Sequence, residues 1–147
     1  MNAYFSGRMN LPRIRIELTY GEETDMEGAY NVLATLLKDD CVIVVDVTGT
    51  PTNRDFVIEK CSSEKMQALV QKSLEGLSYD LYADCPDPVA NEDECDVYKE
   101  KLQNVFFLGI PCTGGDYNEH AVTCRESGIS AVSEALIRLA TAFTGST

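Results

Sequence analysis

The chain has 147 residues, 44% of them apolar and 24% charged, which is the make-up of an ordinary folded domain able to close a core of its own. Twelve basic residues against 24 acidic ones leave a formal net charge of −12, a balance that repels phosphate backbones and excludes nucleic acid as an expected partner. No stretch nears the roughly 20 apolar residues of a membrane span, and the start, MNAYFSGRMN, lacks the apolar run of a secretion signal. The expectation is one domain over residues 1–147, in the cytoplasm and with no membrane partner.

In chain order, Ile14, Ile16 and Leu18 alternate within Arg13 to Tyr20, the pattern of a half-buried strand. After GEET, the recurrence of Met26, Ala29, Tyr30, Leu33, Leu36 and Leu37 predicts a loop entering a helix between Glu22 and Lys38. Cys41 to Val47, CVIVVDV, suits a strand buried on both faces and stops at the Thr-Gly-Thr-Pro turn. Phe56 to Cys61 reads as a further strand. Ser62 or Ser63 then caps a helix with Met66, Leu69, Val70 and Leu74 inward and Gly76 at its end.

Tyr79 to Tyr82 is a short strand, and the acidic, proline-bearing stretch Asp84 to Asp96 is a loop. Val97 to Gln103 makes a helical turn, Val105 to Ile110 a strongly apolar strand, and PCTGGDYNEH another loop. Ser127 to Phe143 closes the chain as a helix with Ile129, Val132, Leu136, Leu139 and Ala140 on one face. Strands alternating with helices predict an α/β fold, a layered, mixed and mostly parallel sheet flanked by helices. The cysteines at 41, 61, 85, 95, 112 and 124 form no CxxC pair and read as reduced thiols, with room for one bridge between Cys85 and Cys95.

In such sheets ligands gather beyond the carboxyl ends of strands. There stand Glu22-Glu23, Asp46 and, after a loop, His120, the single histidine. Carboxylates with an imidazole are ligands that zinc, cobalt or manganese accept. Each has a plainer reading: an acidic pair suits the first turn of a helix, and a histidine in a polar loop suits the surface. Asp46 stands apart, because an acid inside an apolar strand must be paired, bonded or liganded.

The stretch Gly21-Glu22-Glu23-Thr24-Asp25-Met26-Glu27-Gly28-Ala29 resembles the Glu-Glu signature of the co-catalytic dinuclear zinc exopeptidases, the aminopeptidases and related carboxypeptidase-like enzymes. VVDVTGT and LGIPCTGGDYNEH are similar to that family's aspartate strand and histidine loop, so the likeness runs from about residue 13 to 143. The resemblance implies a zinc-exopeptidase-like fold, with Glu22 as general base and Glu23, Asp46 and His120 as zinc ligands. It also implies a peptide or N-acyl amino acid as substrate. The family supplies further ligands, a His-x-Asp motif and a bridging aspartate, upstream of the Glu-Glu pair, and the roughly twenty residues before that pair hold no histidine. Asp25 also stands where the family has glycine.

The expectation is therefore the C-terminal part of an exopeptidase domain, a metallo-hydrolase only if a second copy or a complementing chain completes the site, and otherwise inactive alone. A homodimer is expected on the same ground, since missing strands leave a sheet edge to bury. The alternative is a non-catalytic binding or assembly protein on a peptidase-derived fold. A weaker one is a plain cation-binding module using the Asp84–Asp96 loop, whose oxygens suit calcium.

Overall fold

The computed structural model describes residues 14–87, 92–114 and 121–145. Among them, five strands form one mixed sheet: β1 (Cys41–Thr48), β2 (Phe56–Glu59), β3 (Tyr79–Leu81), β4 (Asn104–Thr113) and β5 (Thr123–Cys124). The order is β1-β4-β2-β3, with β5 added to the far end of β4. β1 runs parallel to β4 and β2 parallel to β3, while β2 and β5 run antiparallel to β4. The sheet is thus evenly divided between parallel and antiparallel pairings rather than mostly parallel. β4 sits between β1 and β2, and its residues Val105 to Gly109 are buried without interruption, as an apolar run covered on both faces should be.

Four helices cover the sheet: α1 (Glu27–Leu33), α2 (Glu64–Ser73), α3 (Glu94–Lys99) and α4 (Glu126–Gly145). The period of two along each strand sorts the side chains onto two faces. On one, Phe56, Ile58, Phe106 and Leu108 meet Met66 and Val70 of α2, Leu74 just after it, and Val132, Ala135 and Leu139 of α4. On the other, Val44, Val105 and Phe107 meet Ala29 and Leu33 of α1 and Cys95, Val97 and Tyr98 of α3. Ser63 caps α2 by accepting the Met66 amide at 3.3 Å, and Gly76 takes the left-handed conformation (φ 83°) after its end. No helix among the described residues is long and apolar enough to cross a membrane.

Residues 14–20 join no strand among the described residues, and Leu18 is 81% exposed. Alternation marks a strand only where a neighbour supplies the ladder. Here the segment lies across the start of α1 instead, where Gly28 N–H donates to Tyr20 O at 2.9 Å. α1 stops at Leu33, short of Lys38, because Thr35 and Leu36 turn back in tighter hydrogen bonds to Val32 and Leu33. Lys101 Nζ, arriving from beyond α3, donates to the Leu33 and Leu36 carbonyls.

α3 begins within the expected acidic loop. Asp93 and Asp96 form a reciprocal capping box, so acids that read as loop composition in fact start a helix. Ile129, expected inward on α4, is 47% exposed, and Ala135 lies in the core instead. No Cys85–Cys95 bridge forms: all six cysteines are free thiols, and Cys95, on α3, is fully buried while Cys85 is only half-buried.

Candidate functional site

The Glu-Glu segment is built by a tight turn. The amides of Thr24, Asp25 and Met26 all donate to Gly21 O, at 3.2, 3.1 and 2.8 Å. Asp25 does not break it: its Oδ1 accepts from Glu27 N at 3.1 Å, and Met26 takes the positive φ (57°) that brings the chain into α1. Gly28 has no freedom to be anything larger, since a Cβ there would lie 2.4 Å from Tyr20 N and 2.6 Å from Tyr20 O. Ala29 is fully buried beside it. The Gly-Ala pair thus wedges the preceding segment against the helix and sets where Glu22 stands.

Asp46 follows Val44 on the face covered by α1 and α3, opposite Gly109 of β4, which in turn faces Val57 of β2. A Cβ at Gly109 would meet the Phe107 ring at 2.8 Å and Val57 at 2.9 Å, so this spot must stay bare. Asp46 itself is exposed, beyond the apolar part of the face, and its Oδ1 accepts from Val47 N at 2.7 Å.

Glu22 is half-buried and Glu23 exposed. Burial raises the Glu22 carboxyl above its ordinary pKa, and the neighbouring charges of Glu23, Asp46, Glu94 and Asp93 raise it further. The turn before α1, the end of β1 and the start of α3 therefore converge on one acidic spot. Glu94 and Asp93 were expected only as loop acids; the Asp-x-x-Asp capping spacing was the signal that could have placed them at a helix start.

These two acids differ in how they are held. Asp93 is committed: its carboxylate accepts from Cys95 N at 2.6 Å and pairs with Lys60 Nζ at 3.1 Å. Lys60, in the left-handed conformation (φ 55°) and almost fully buried, also meets Asp96 at 2.7 Å. Burial alone would lower the Lys60 pKa, but Asp96 and Asp93 outweigh it and the pKa is raised. Glu94 is 91% removed from solvent, and its Oε1 finds no hydrogen-bond partner among the described residues; Glu59 Oε1, on β2, shares that condition. Such an oxygen costs stability where it stands.

His120 lies outside the described residues, so the set of Glu22, Glu23, Asp46 and His120 is placed only in its three carboxylates. The chain re-enters beside the end of β4, where Ala121 O comes within 2.5 Å of where a Gly114 Cβ would be. Among the described residues no group of three or more His, Cys, Asp or Glu side chains could hold a metal ion. The acids share a neighbourhood and an electrostatic field, not a coordination shell, and by themselves they do not fit zinc.

Two open cavities are lined by none of Glu22, Glu23, Asp46, Asp93 and Glu94. One, of about 280 Å³, lies between residues 15–20 and α1, and the other, of about 630 Å³, runs along the Gly49–Asn53 turn and the ends of β4 and β5. Compared with family models, with curated proteins and with solved structures, the chain matches none of them.

Proposed function

We propose that the chain is a zinc-exopeptidase-like domain carrying the proton-transfer carboxyl and part of the ligand set of a metal-dependent peptide or amide hydrolase. In this reading the isolated 147-residue chain does not hydrolyse, and a second copy or a complementing chain must add what is missing. The supporting observation is Glu22: half-buried, held at the head of α1 by the Gly28 wedge, and raised in pKa by burial and by Glu23, Asp46, Glu94 and Asp93. A carboxyl poised above its ordinary range is suited to take a proton from an attacking water and return it to a leaving amine. Glu23, Asp46 and His120 are its proposed metal-binding neighbours, zinc the proposed metal with cobalt or manganese as substitutes, and a peptide or N-acyl amino acid the proposed substrate. Since the described donors do not make a zinc site, no step is assigned to the metal.

The test is zinc content and affinity of the pure chain beside its His120→Ala variant, with aminoacyl-anilide hydrolysis measured in parallel. Zinc near two per chain, weakened by the substitution, together with metal-dependent hydrolysis lost in Glu22→Gln, would show a complete site and overturn the claim of inactivity. Partial zinc binding that depends on His120, without hydrolysis, is the expected result. No zinc, or binding indifferent to His120, would defeat the hydrolase reading.

A second reading, a non-catalytic assembly protein, draws on one observation. β1 pairs on one side only among the described residues, and its Val45 and Val47 are 42% and 36% exposed. A concentration-dependent dimer that binds no metal would favour it.

A further inference from the structure

Cys112 and Cys124 are direct cross-strand partners, opposite each other in the antiparallel pairing of β4 with β5. Directly opposed residues in such a ladder have Cβ atoms about 4.5–5.5 Å apart, and disulfides accept Cα separations of about 4.4–6.8 Å. The next rung shows how close this ladder brings its side chains: Thr113 Oγ1 and Thr123 Oγ1 are 3.2 Å apart. A two-residue strand would ordinarily be too short to hold a register, but β5 is fastened on both sides. Before it, the Ala121 backbone closes against Gly114. After it, Arg125 donates to Arg54 O and Ser127 Oγ to Asp55 Oδ1 at 3.0 Å, while Gly128 sits so close to Asp55 O that a Cβ would be 2.7 Å away. The two thiols are therefore held face to face by the architecture, not by chance on a loose ribbon.

Pairing and access together single out this site: Cys124 is the one exposed cysteine of the six, and Cys112, intermediate in burial like Cys41 and Cys85, is the one directly opposite it. Cys124 is exposed and Cys112 half-buried, and both line the open groove of about 630 Å³ along the Gly49–Asn53 turn. Cys61 and Cys95 are buried in the core, and burial pushes the Cys61 thiol up to about 11 and the Cys41 thiol to about 12.

We propose that Cys112 and Cys124 form a reversible dithiol–disulfide site, oxidised by a low-molecular-weight disulfide of the glutathione class. The exposed Cys124 thiolate attacks one sulfur of the small disulfide, forming a mixed disulfide and expelling one small thiolate. Cys112, deprotonated in its turn, attacks the Cys124 sulfur and expels the second. The protein loses two electrons and two protons, and the small disulfide gains them as two thiols. Burial first, then the neighbouring Cys124 and Asp46, raise the Cys112 pKa, which suits it to the second, intramolecular step rather than to the first. The site is independent of the hydrolase reading: it needs neither Glu22 nor a metal.

The test incubates the full reduced chain with glutathione disulfide, blocks the remaining thiols by alkylation and maps the peptides without reduction. A 112–124 link with the other four cysteines alkylated is expected, as is its reversal by excess reduced glutathione. In Cys112→Ser the glutathione adduct should accumulate on Cys124, and in Cys124→Ser the reaction at Cys112 should be slowed at least tenfold. A wild-type chain that stops at the mixed disulfide, joins another pair such as Cys85 and Cys95, or stays fully reduced overturns the proposal.

Discussion

The two faces of the sheet solve different problems. Against α2 and α4 the contact is apolar throughout: Phe56, Ile58, Phe106 and Leu108 close on Met66, Val70, Leu74, Val132, Ala135 and Leu139. Against α1 and α3 the helices have only 7 and 6 residues, and the buried set includes Lys60, Glu59 and Glu94, with one oxygen of each glutamate lacking a hydrogen-bond partner among the described residues. The first face supplies stability by apolar area; the second buries charged groups as well, which is costly wherever an oxygen is left without a hydrogen bond.

That contrast can be broken most sharply at Leu139, fully buried on the α4 side. Leu139→Ala should cost about 2–5 kcal/mol in denaturant unfolding, as a cavity in a closed core does. A loss below that range would mean the α4 face is looser than its burial implies. On the other face the largest effect belongs to Gly28→Ala. Its Cβ would collide with the Tyr20 backbone, which cannot swing aside as a side chain could, so roughly 3 kcal/mol should be lost. Faster proteolysis within residues 14–20 should accompany it.

Lys60→Met should cost about 1–2 kcal/mol, discounted because Asp96 is half exposed while Asp93 stays largely covered. Its pH signature follows from the raised pKa. The stabilisation is complete below the ordinary lysine value and is lost as pH rises through the higher folded one, so the wild type should weaken at strongly alkaline pH and the variant should lack that loss.

The smallest effect has the opposite sign. The Glu22 pKa is raised in the folded state, so its contribution is most favourable below the ordinary carboxyl value of 4.5 and declines as pH climbs through the folded value. Glu22→Gln should therefore raise the neutral-pH melting temperature slightly, by less than about 1 kcal/mol of stability. Thermal scans at acid and neutral pH check it: a variant less stable than wild type at both would mean that Glu22 is structural and not poised for proton transfer.

Much of the α4 face was legible in the residues themselves. The apolar β4, the Ser63 cap and the Met66–Val70–Leu74 stripe each state their structure locally, through period, capping chemistry and the turn at Gly76. The valine-rich β1 forms the expected strand but is not buried on both faces: it pairs on one side only among the described residues, and Val45, Asp46 and Val47 are exposed. The candidate site was legible only in parts. The Glu-Glu turn and Asp46 stood out as acids at element ends, while Glu94 and Asp93 hid inside a segment whose composition read as loop. Composition cannot tell a solvated acid from one that caps a helix, because both want an unpaired amide or water nearby; the spacing of Asp93 and Asp96 carried the distinction.

The sequence by itself determined the α/β class, the main strands and the longer helices, since period and propensity act over neighbouring residues. Only the tertiary structure decided which segment became a strand, because a ladder needs a partner and residues 14–20 find α1 instead. It alone brought a lysine 68 residues away onto the Leu33 carbonyl at the end of α1, set Cys112 opposite Cys124, and brought acids from the turn before α1, from β1 and from the start of α3 into one field. Those outcomes depend on charges and backbones meeting across the chain, where attraction and exclusion are set by distance in space and not by distance in sequence.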